Sequence, residues 1–365
     1  MTEIMEAGRW RLDWPTSAGA RVARAGLKTS PEDFQVDEEF SGFPAQSGPE
    51  VIAGEGEHLC LRLQKIGDNT EFVARELAAL CGCRTFDVGF FGLKDRHAVT
   101  SQWFSLYRPG MANSDADFVA RVAERWPVLS VWRHNRKLRR GEHEGNRFIL
   151  TLRDVDGVRG EIDEALARLK SHGAPNYFGP QRFGFGGANL DRAAAMDASA
   201  MNSRGRPAGR GRRGKNRAGR DASKNVLYFS AARSWLFNEV LARRVADGTW
   251  FMPIDGEPGL SCGDLVPTGP LWGDGGTTAT GHQETLERGV VEQSPDLVRL
   301  FSTTRMKPER RLLRTRPAEL AWQWHDEGCL KLEFSLSPGQ YATTILSDIF
   351  ELEDMSLGRH NKQQG

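Results

Sequence analysis

The sequence predicts an α+β fold in which helices pack on one mixed β-sheet. Apolar and polar residues alternate, as they do in half-buried strands, over 59–64, 101–107 and 147–154. Apolar residues recur at helical spacing over 70–80 and 160–171. Because these strands and helices alternate irregularly along the chain, a layered α+β architecture is favoured.

The individual elements are predicted from the period of the apolar residues and from capping and turn residues. Asn69, for example, is a good N-cap for the helix over 70–80. In chain order, the predicted elements are strands at 59–64, 86–91, 101–107, 128–132, 147–154 and 330–336, and helices at 70–80, 118–125 and 160–171, from Ser230, and around Ile345.

A Gly- and Pro-rich crossing at 173–179 predicts a domain boundary. The last predicted strand and helix resemble the first half of the chain in pattern, and we expect them to return to the first domain. The sequence therefore predicts an inserted domain at 174–308 within a discontinuous domain formed by 26–173 and 309–365.

The composition is that of a globular protein, with 39% hydrophobic and 27% charged residues. No apolar run approaches the ~18 residues of a membrane span, and residues 1–6 lack the apolar core of a secretory signal. The 5 cysteines are odd in number, which favours free thiols in a reducing compartment. We therefore expect a cytoplasmic protein without a membrane partner.

The formal net charge of +1 hides a strong asymmetry. Residues 203–224 carry a balance of +8 and residues 133–140 one of +5, so the remainder of the chain is strongly acidic. Concentrated positive charge of this kind favours a polyanion partner such as nucleic acid. The Arg/Gly-rich stretch 203–224 is predicted to be a disordered loop, whereas 133–140 follows a strand and is expected to hold its charges in fixed places.

A polar connection between the strands predicted at 86–91 and 101–107 carries Asp95 between two cations, Lys94 and Arg96. A carboxylate kept ionised by cations has the character of a nucleophile rather than of a proton donor. The alternative is a polar turn whose charges only face water. Spacing alone leaves both interpretations open.

Several short runs occur along the chain, at 28–34, 54–58, 92–102, 135–138, 145–148, 176–184, 230–234 and 341–343. In this order and at these separations, they resemble the TruD family of tRNA pseudouridine synthases over nearly all of 26–350. The resemblance implies the mixed-sheet catalytic domain common to pseudouridine synthases, interrupted by an inserted α/β TRUD-specific domain. Residues 1–25 fall outside it and are expected to form a flexible lead-in.

The resemblance implies an isomerase that converts uridine to pseudouridine at position 13, in the D arm of tRNA. It assigns Asp95 as the nucleophile and Lys28 as the cation that keeps this carboxylate ionised. Lys94 and Arg96 flank Asp95 on an extended segment, point to other sides and are expected to contact phosphate or remain solvated. Gln102 is expected to support the loop that carries Asp95.

The same resemblance places three aromatic residues, Phe34, Phe148 and Tyr341, around a uracil drawn out of its stack. Asn146 offers both a donor and acceptors to the Watson–Crick edge of that base. The isomerisation involves no redox step and no external group transfer, so neither a cofactor nor a metal is expected.

Two other functions remain open from the sequence. A non-catalytic RNA-binding protein could use the same scaffold, although the intact motif around Asp95 argues against it. A hydrolase that pairs Asp95 with His97 would lack an evident orienting partner. The favoured interpretation is a monomeric enzyme that acts on tRNA.

Overall fold

The computed structural model of the chain describes residues 9–43, 48–196, 212–259, 266–302 and 306–357. The chain forms two compact units. The first, called the sheet unit, comprises Val22–Glu164, Pro317–Ala342 and Phe350–Gly365. The second, called the helical unit, comprises Met1–Arg21, Ala165–Arg316 and Thr343–Ile349.

The strands are β1 (Ala23–Leu27), β2 (Phe34–Glu39), β3 (Gly48–Gly54), β4 (His58–Lys65), β5 (Gly89–Phe90), β6 (Val99–Tyr107), β7 (Val128–His134), β8 (Gly145–Gly157), β9 (Ala174–Pro175), β10 (Thr268–Leu271), β11 (Glu309–Leu312), β12 (Arg314–Thr315), β13 (Ala318–Asp326), β14 (Cys329–Leu336) and β15 (Phe350–Asp354). The helices are α1 (Thr70–Cys81), α2 (Asp115–Ala123), α3 (Arg159–His172), α4 (Ala188–Ala194), α5 (Arg212–Ala246), α6 (Gly281–Val291), α7 (Pro295–Arg299) and α8 (Ala342–Leu346).

The sheet unit is built on one 11-stranded sheet. Its main path runs β13-β14-β8-β2-β6-β4-β7-β3, while β1 pairs with β8 and β15, and β5 pairs with β6. The pairs β2–β6, β3–β7 and β1–β15 are parallel, and the other pairs are antiparallel. The prediction of an α+β fold with a mixed sheet is confirmed.

The apolar residues of helix α1, whose spacing predicted the helix, pack against strand β4. Val73 and Leu77 are buried in one core cluster with Leu61 of β4. The helix begins because the Asn69 side chain accepts a hydrogen bond from the Phe72 amide at 2.8 Å. This local consistency of cap and stripe explains why the sequence predicts the helix correctly.

The strand predicted at 86–91 is shorter in the structure. Thr85–Asp87 form a 3₁₀ turn, and only Gly89–Phe90 pair with β6. A Cβ atom on Gly89 would lie 2.4 Å from the Leu138 carbonyl oxygen, so glycine allows the 136–141 segment to approach.

The helical unit buries the apolar face of α5, including Phe229 and Phe237. Its first described residues are packed, which differs from the flexible lead-in expected at 1–25. The Trp14 ring stacks on Tyr177 at 5.7 Å, and the Trp10 ring meets Trp235 at 5.2 Å. Large aromatic rings bury enough apolar area to fix an otherwise irregular segment.

The Arg/Gly-rich stretch also differs from its prediction. Residues 203–211 lie outside the described residues, but 212–224 belong to α5, which begins well before the predicted start at Ser230. Arg, Lys and Ala are good helix formers, and extending an existing helix costs far less than nucleating one. Local composition therefore indicated disorder where the structure continues a helix.

Within the described ranges, no helix combines the length and apolarity needed to cross a bilayer. Cys60, Cys81, Cys83 and Cys329 are free thiols, and Cys262 lies outside the described residues.

Candidate active site

Asp95 lies in the loop between β5 and β6, with 36% of its side chain exposed. Its Oδ1 accepts a hydrogen bond from the His97 amide at 3.0 Å. Such a bond to the amide two residues on is characteristic of Asp in turns and fixes the side chain without help from a distant element. The loop therefore presents one carboxylate oxygen to the sheet and leaves part of the group in solvent.

Lys28 meets the second oxygen of that carboxylate. Its Nζ lies 2.5 Å from Asp95 Oδ2 and 3.4 Å from Asp354 Oδ2, while its own side chain is only 9% exposed. Parallel pairing of β1 with β15 places Leu27 beside Asp354, so Lys28 leaves β1 directly next to that second carboxylate. Asp354 was not identified from the sequence, because only strand pairing brings it near.

The pKa of Asp95 reflects two opposed effects. Burial raises the pKa, but the hydrogen bonds from Lys28 and from the His97 amide outweigh it and bring the pKa below its ordinary value. The carboxylate is therefore ionised at neutral pH, as a nucleophile must be.

Lys65, at the end of β4, holds the backbone of the same loop. Its Nζ donates to the Asp95 carbonyl at 3.3 Å and to the Asp68 carbonyl at 2.7 Å. Burial lowers its pKa to about 8, although the charges of Asp95 and Asp68 oppose this shift. Sequence analysis did not select Lys65, because its position in the strand pattern gave no chemical signal.

Lys94 does not face phosphate or solvent, contrary to the sequence-based expectation. Its Nζ lies 2.6 Å from Glu38 Oε1, and the two side chains are 7% and 0% exposed. Glu38 Oε2 accepts a hydrogen bond from the Trp103 amide at 3.0 Å. A buried carboxylate on β2 needs a cation, and the loop supplies Lys94.

Gln102 lies beneath the loop, fully buried on β6. Its Nε2 donates to the Gly92 carbonyl at 3.2 Å, and its Oε1 accepts from the Thr70 hydroxyl at 2.8 Å. Thr70 Oγ1 in turn accepts from the Lys94 amide at 2.9 Å. These bonds connect the loop to β6 and α1.

Three aromatic rings follow one another from the ammonium group of Lys28. The Lys28 ammonium lies 4.8 Å from the centre of the Phe34 ring. Phe34 meets Phe148 edge-on at 6.2 Å, and Phe148 stacks on Phe334 at 5.5 Å. Phe34 and Phe148 are largely buried, so they form an apolar wall beside the lysine rather than freely exposed rings.

Asn146 lies on β8, opposite Glu38 of β2 and Leu336 of β14. Its Nδ2 lies 3.4 Å from His143 Nε2, and its Oδ1 is buried without a protein partner among the described residues. Tyr341 is half-buried and directly precedes α8. The structure thus joins Lys28, Asp95, Phe34 and Phe148 by contacts, whereas Asn146 lies two residues before Phe148 on β8 and Tyr341 lies at the start of α8.

Arg96 and His97, the two residues after Asp95, contact each other. Arg96 Nε donates to His97 Nε2 at 2.9 Å. The His97 ring therefore faces Arg96, while its amide contacts Asp95. Among the described residues, no three His, Cys, Asp or Glu side chains gather closely enough to hold a metal ion.

The fold has a known counterpart. The structure of a putative tRNA pseudouridine synthase D from Methanosarcina mazei superposes with a TM-score of 0.61 at 20% identity, covering 95% of this chain and 98% of that one. The chain therefore shares the fold of that protein.

Sequence relatives define the family more closely. The model of the family "tRNA pseudouridine synthase D (TruD)" matches residues 19–189 and 258–349. The tRNA pseudouridine synthase D of Marinobacter nauticus is 62% identical over 363 residues, covering 98% of this chain and 100% of that protein. That of Xanthomonas euvesicatoria is 39% identical over 374 residues, covering 95% and 96%. The chain belongs to the tRNA pseudouridine synthase D family and is a pseudouridine synthase.

Proposed function

We propose that this enzyme isomerises uridine to pseudouridine at position 13, in the D arm of tRNA, with Asp95 as the nucleophile. The supporting observation is the contact of 2.5 Å between Lys28 Nζ and Asp95 Oδ2 on a half-exposed carboxylate. The pair keeps Asp95 ionised while leaving its loop accessible to a substrate.

The reaction breaks the bond between N1 of uracil and C1′ of the ribose and forms one between C5 and C1′. The C5 hydrogen leaves as a proton, and N1 gains one, so the product is an isomer of the substrate. An ionised carboxylate next to the ribose supplies the negative charge that such a step needs at C1′. Lys28 maintains that ionisation and does not itself react.

The target base lies within a folded RNA and must leave its stack before it can react, at a cost of a few kcal/mol. We propose that Phe34, Phe148 and Tyr341 receive the base, since stacking on aromatic rings returns ~1–3 kcal/mol per base. The unpartnered Oδ1 of Asn146 suits the N3–H donor of uracil.

We further propose that 26–173 and 309–365 form the catalytic domain around 174–308 as an inserted domain. The proposed site residues all fall in the sheet unit, which supports this assignment. We also propose that the enzyme is a cytoplasmic monomer that acts on tRNA.

The decisive experiment replaces Asp95 by Asn in the full-length chain. Asp95→Asn removes the charge but keeps a side-chain oxygen for the His97 amide, and Lys28 retains Asp354 as its partner. We expect the release of tritium from uridine labelled at C5 to fall to background, with tRNA affinity little changed. Primer-extension mapping of the wild-type product should place pseudouridine at position 13.

Asp326→Asn provides a matched control, because the Asp326 Oδ1 accepts from the Gly328 amide at 3.0 Å in the same local geometry, on an exposed turn. This variant should turn over normally. Normal turnover by Asp95→Asn would disprove the nucleophile assignment, and a product at another uridine would disprove the site specificity.

A further inference from the structure

Two chain segments lie side by side before the catalytic loop. The Leu138 amide donates to Ser105 Oγ at 3.0 Å, and the Gly141 amide donates to the Phe91 carbonyl at 2.9 Å. The 136–141 segment therefore follows 86–91 into the loop that carries Asp95. We call four side chains of this surface the Phe86 strip: the exposed Arg84, Phe86 and Arg140 and the half-buried Lys137.

Phe86 is the unusual member of the strip because it is 80% exposed. Its position is nevertheless defined, since Lys137 Nζ lies 4.4 Å from the centre of its ring and also donates to its carbonyl oxygen. A ring held by an ammonium group and open over most of its area is prepared to stack on another flat group.

Two further cations of the strip lie on the same two chain segments as Phe86 and Lys137. Arg84 is exposed and pairs with Asp87 at 2.8 Å, while Arg140 lies 5.1 Å from the centre of the Phe90 ring and 3.7 Å from Glu71. Exposed ion pairs of this kind are worth little, so phosphates can replace the carboxylates at small cost. The whole 133–140 stretch does not take part, because Arg133 is buried and binds Asp115 at 2.6 Å.

The Phe86 end of the strip lies some way from the catalytic loop, whereas Arg140, 3.7 Å from Glu71 at the start of α1, lies nearer to it. Gly89 pairs with Ser105, and β6 runs back from there to Val99, where the catalytic loop joins it. Six strand residues span about 20 Å. A polynucleotide seated at Asp95 would therefore meet the strip with nucleotides other than its target uridine.

We propose that the Phe86 strip binds tRNA outside the active site, with Phe86 stacked on an unpaired base and Lys137 and Arg140 on the flanking phosphates. An aromatic platform among cations is the usual surface for unpaired nucleotides. The inference rests on the proposed function for the identity of the RNA. The strip determines affinity and leaves the chemical step unaltered.

The test measures the Kd of full-length variants for an unmodified tRNA transcript. Phe86→Ala should raise Kd about tenfold, and Phe86→Trp should restore wild-type affinity because it restores a ring. The double variant K137Q/R140Q should reduce the slope of log Kd against log salt by about 1.5, as expected when two phosphate contacts are lost. Turnover at saturating tRNA should stay unchanged in all of them.

Two controls match the changes. Val158→Ala removes exposed apolar surface elsewhere on the sheet unit, and Arg24→Gln removes an exposed cation from β1. Both should bind like wild type. Because Phe86 is so exposed, its substitution should leave the melting temperature unchanged, which separates lost binding from misfolding.

Three outcomes would overturn the inference. An unchanged Kd for Phe86→Ala would remove the platform, and equal weakening by Ala and Trp would show that stacking is not involved. A loss with K137Q/R140Q alone would show that the surface binds only the phosphate backbone and that Phe86 has no part in it. If the wild-type protein formed no pseudouridine while the strip variants still lost tRNA affinity, the proposed function would be wrong. The inference that the Phe86 strip binds tRNA would nevertheless hold.

Discussion

At the scale of single residues, the site depends on how Lys28 is shared between Asp95 and Asp354. One ammonium group lies 2.5 Å from the first carboxylate and 3.4 Å from the second. The shorter contact belongs to the more exposed group, so the lysine acts where water would otherwise compete. Ionised Asp95 also stabilises the fold above its unfolded-state pKa, and this contribution is lost as pH falls through the lower folded-state pKa.

Lys28→Gln should raise the pKa of Asp95, because the hydrogen bond and charge that lower it are removed while burial remains. A carboxylate nucleophile works above its pKa, so the acid limb of kcat/KM should move to higher pH. In wild type this limb should lie below the ordinary pKa of 3.8. A pH profile of kcat/KM measures it in the free enzyme.

Lys331→Gln is the control for that profile, since Lys331 forms a comparable pair with Glu333 at 2.8 Å on the surface of β14. Its profile should match wild type. Identical acid limbs in wild type and Lys28→Gln would show that Lys28 does not set the ionisation of Asp95.

At the scale of elements, β2 connects the two sides of the site. Adjacent residues of a strand face opposite sides, and here Asp37 lies 3.9 Å from Arg62 while Glu38 binds Lys94. The first pair is partly exposed and the second is buried. Strand β2 thus anchors the catalytic loop through a charge that solvent does not reach.

Glu38→Gln should weaken that anchor by about 3 kcal/mol, because it leaves the buried Lys94 ammonium unpaired. Hydrogen exchange at β6 amides, especially that of Trp103, which donates to Glu38, reports the free energy of local opening. Asp37→Asn, one position away, should cost below about 1 kcal/mol. Equal losses in the two variants would contradict the anchoring role.

Elements with a local signal could be predicted from sequence, and those fixed by distant partners could not. Helix α1 has both a cap and a stripe, whereas α2 begins at Asp115, earlier than predicted. Asp115 is buried between Arg108, which directly follows β6, and Arg133 of β7. No helical period in the sequence reveals these two contacts. Motif resemblance selected Lys28 and the Asp95 loop.

The rest of the site follows from the pairing of strands far apart in sequence. Asp354 joins it through β15 and β1, and Lys65 through the pairing of β4 with β6. Strand β2 and its Glu38 were not predicted from the sequence. The pairing of Glu38 with Lys94 was missed as well, because an extended loop gives no indication of which side chain turns inward. Sequence therefore selected Asp95, Lys28 and Gln102 as candidates and missed Lys65 and Asp354, which strand pairing brings to them.

At the scale of the whole molecule, charge is distributed very unevenly. Residues 203–224 hold 7 Arg and 2 Lys against 1 Asp in a chain of net charge +1. The family model matches 19–189 and 258–349, so this stretch lies in the unmatched part of the chain. Charge of this density favours binding to a polyanion through counterion release.

Replacing the seven arginines of 203–224 by glutamine should lower tRNA affinity at low salt and flatten its salt dependence, with turnover at saturation unchanged. Binding curves between about 50 and 200 mM salt measure the effect. A control that changes the glycines of the same stretch to serine keeps the charge and should bind normally. Superimposable curves at every salt concentration would show that the stretch has no electrostatic role.

Lys28 has a backbone φ of 59°, in the left-handed region where glycine is at ease and a long side chain is strained. The substitution Lys28→Gly would relieve this backbone strain, but it would also remove the cation that pairs with Asp95. At this position, conformational stability favours glycine, whereas the ionisation of Asp95 requires lysine. A stabilised variant with glycine at this position would be expected to fold well and to show the acid limb of kcat/KM at higher pH.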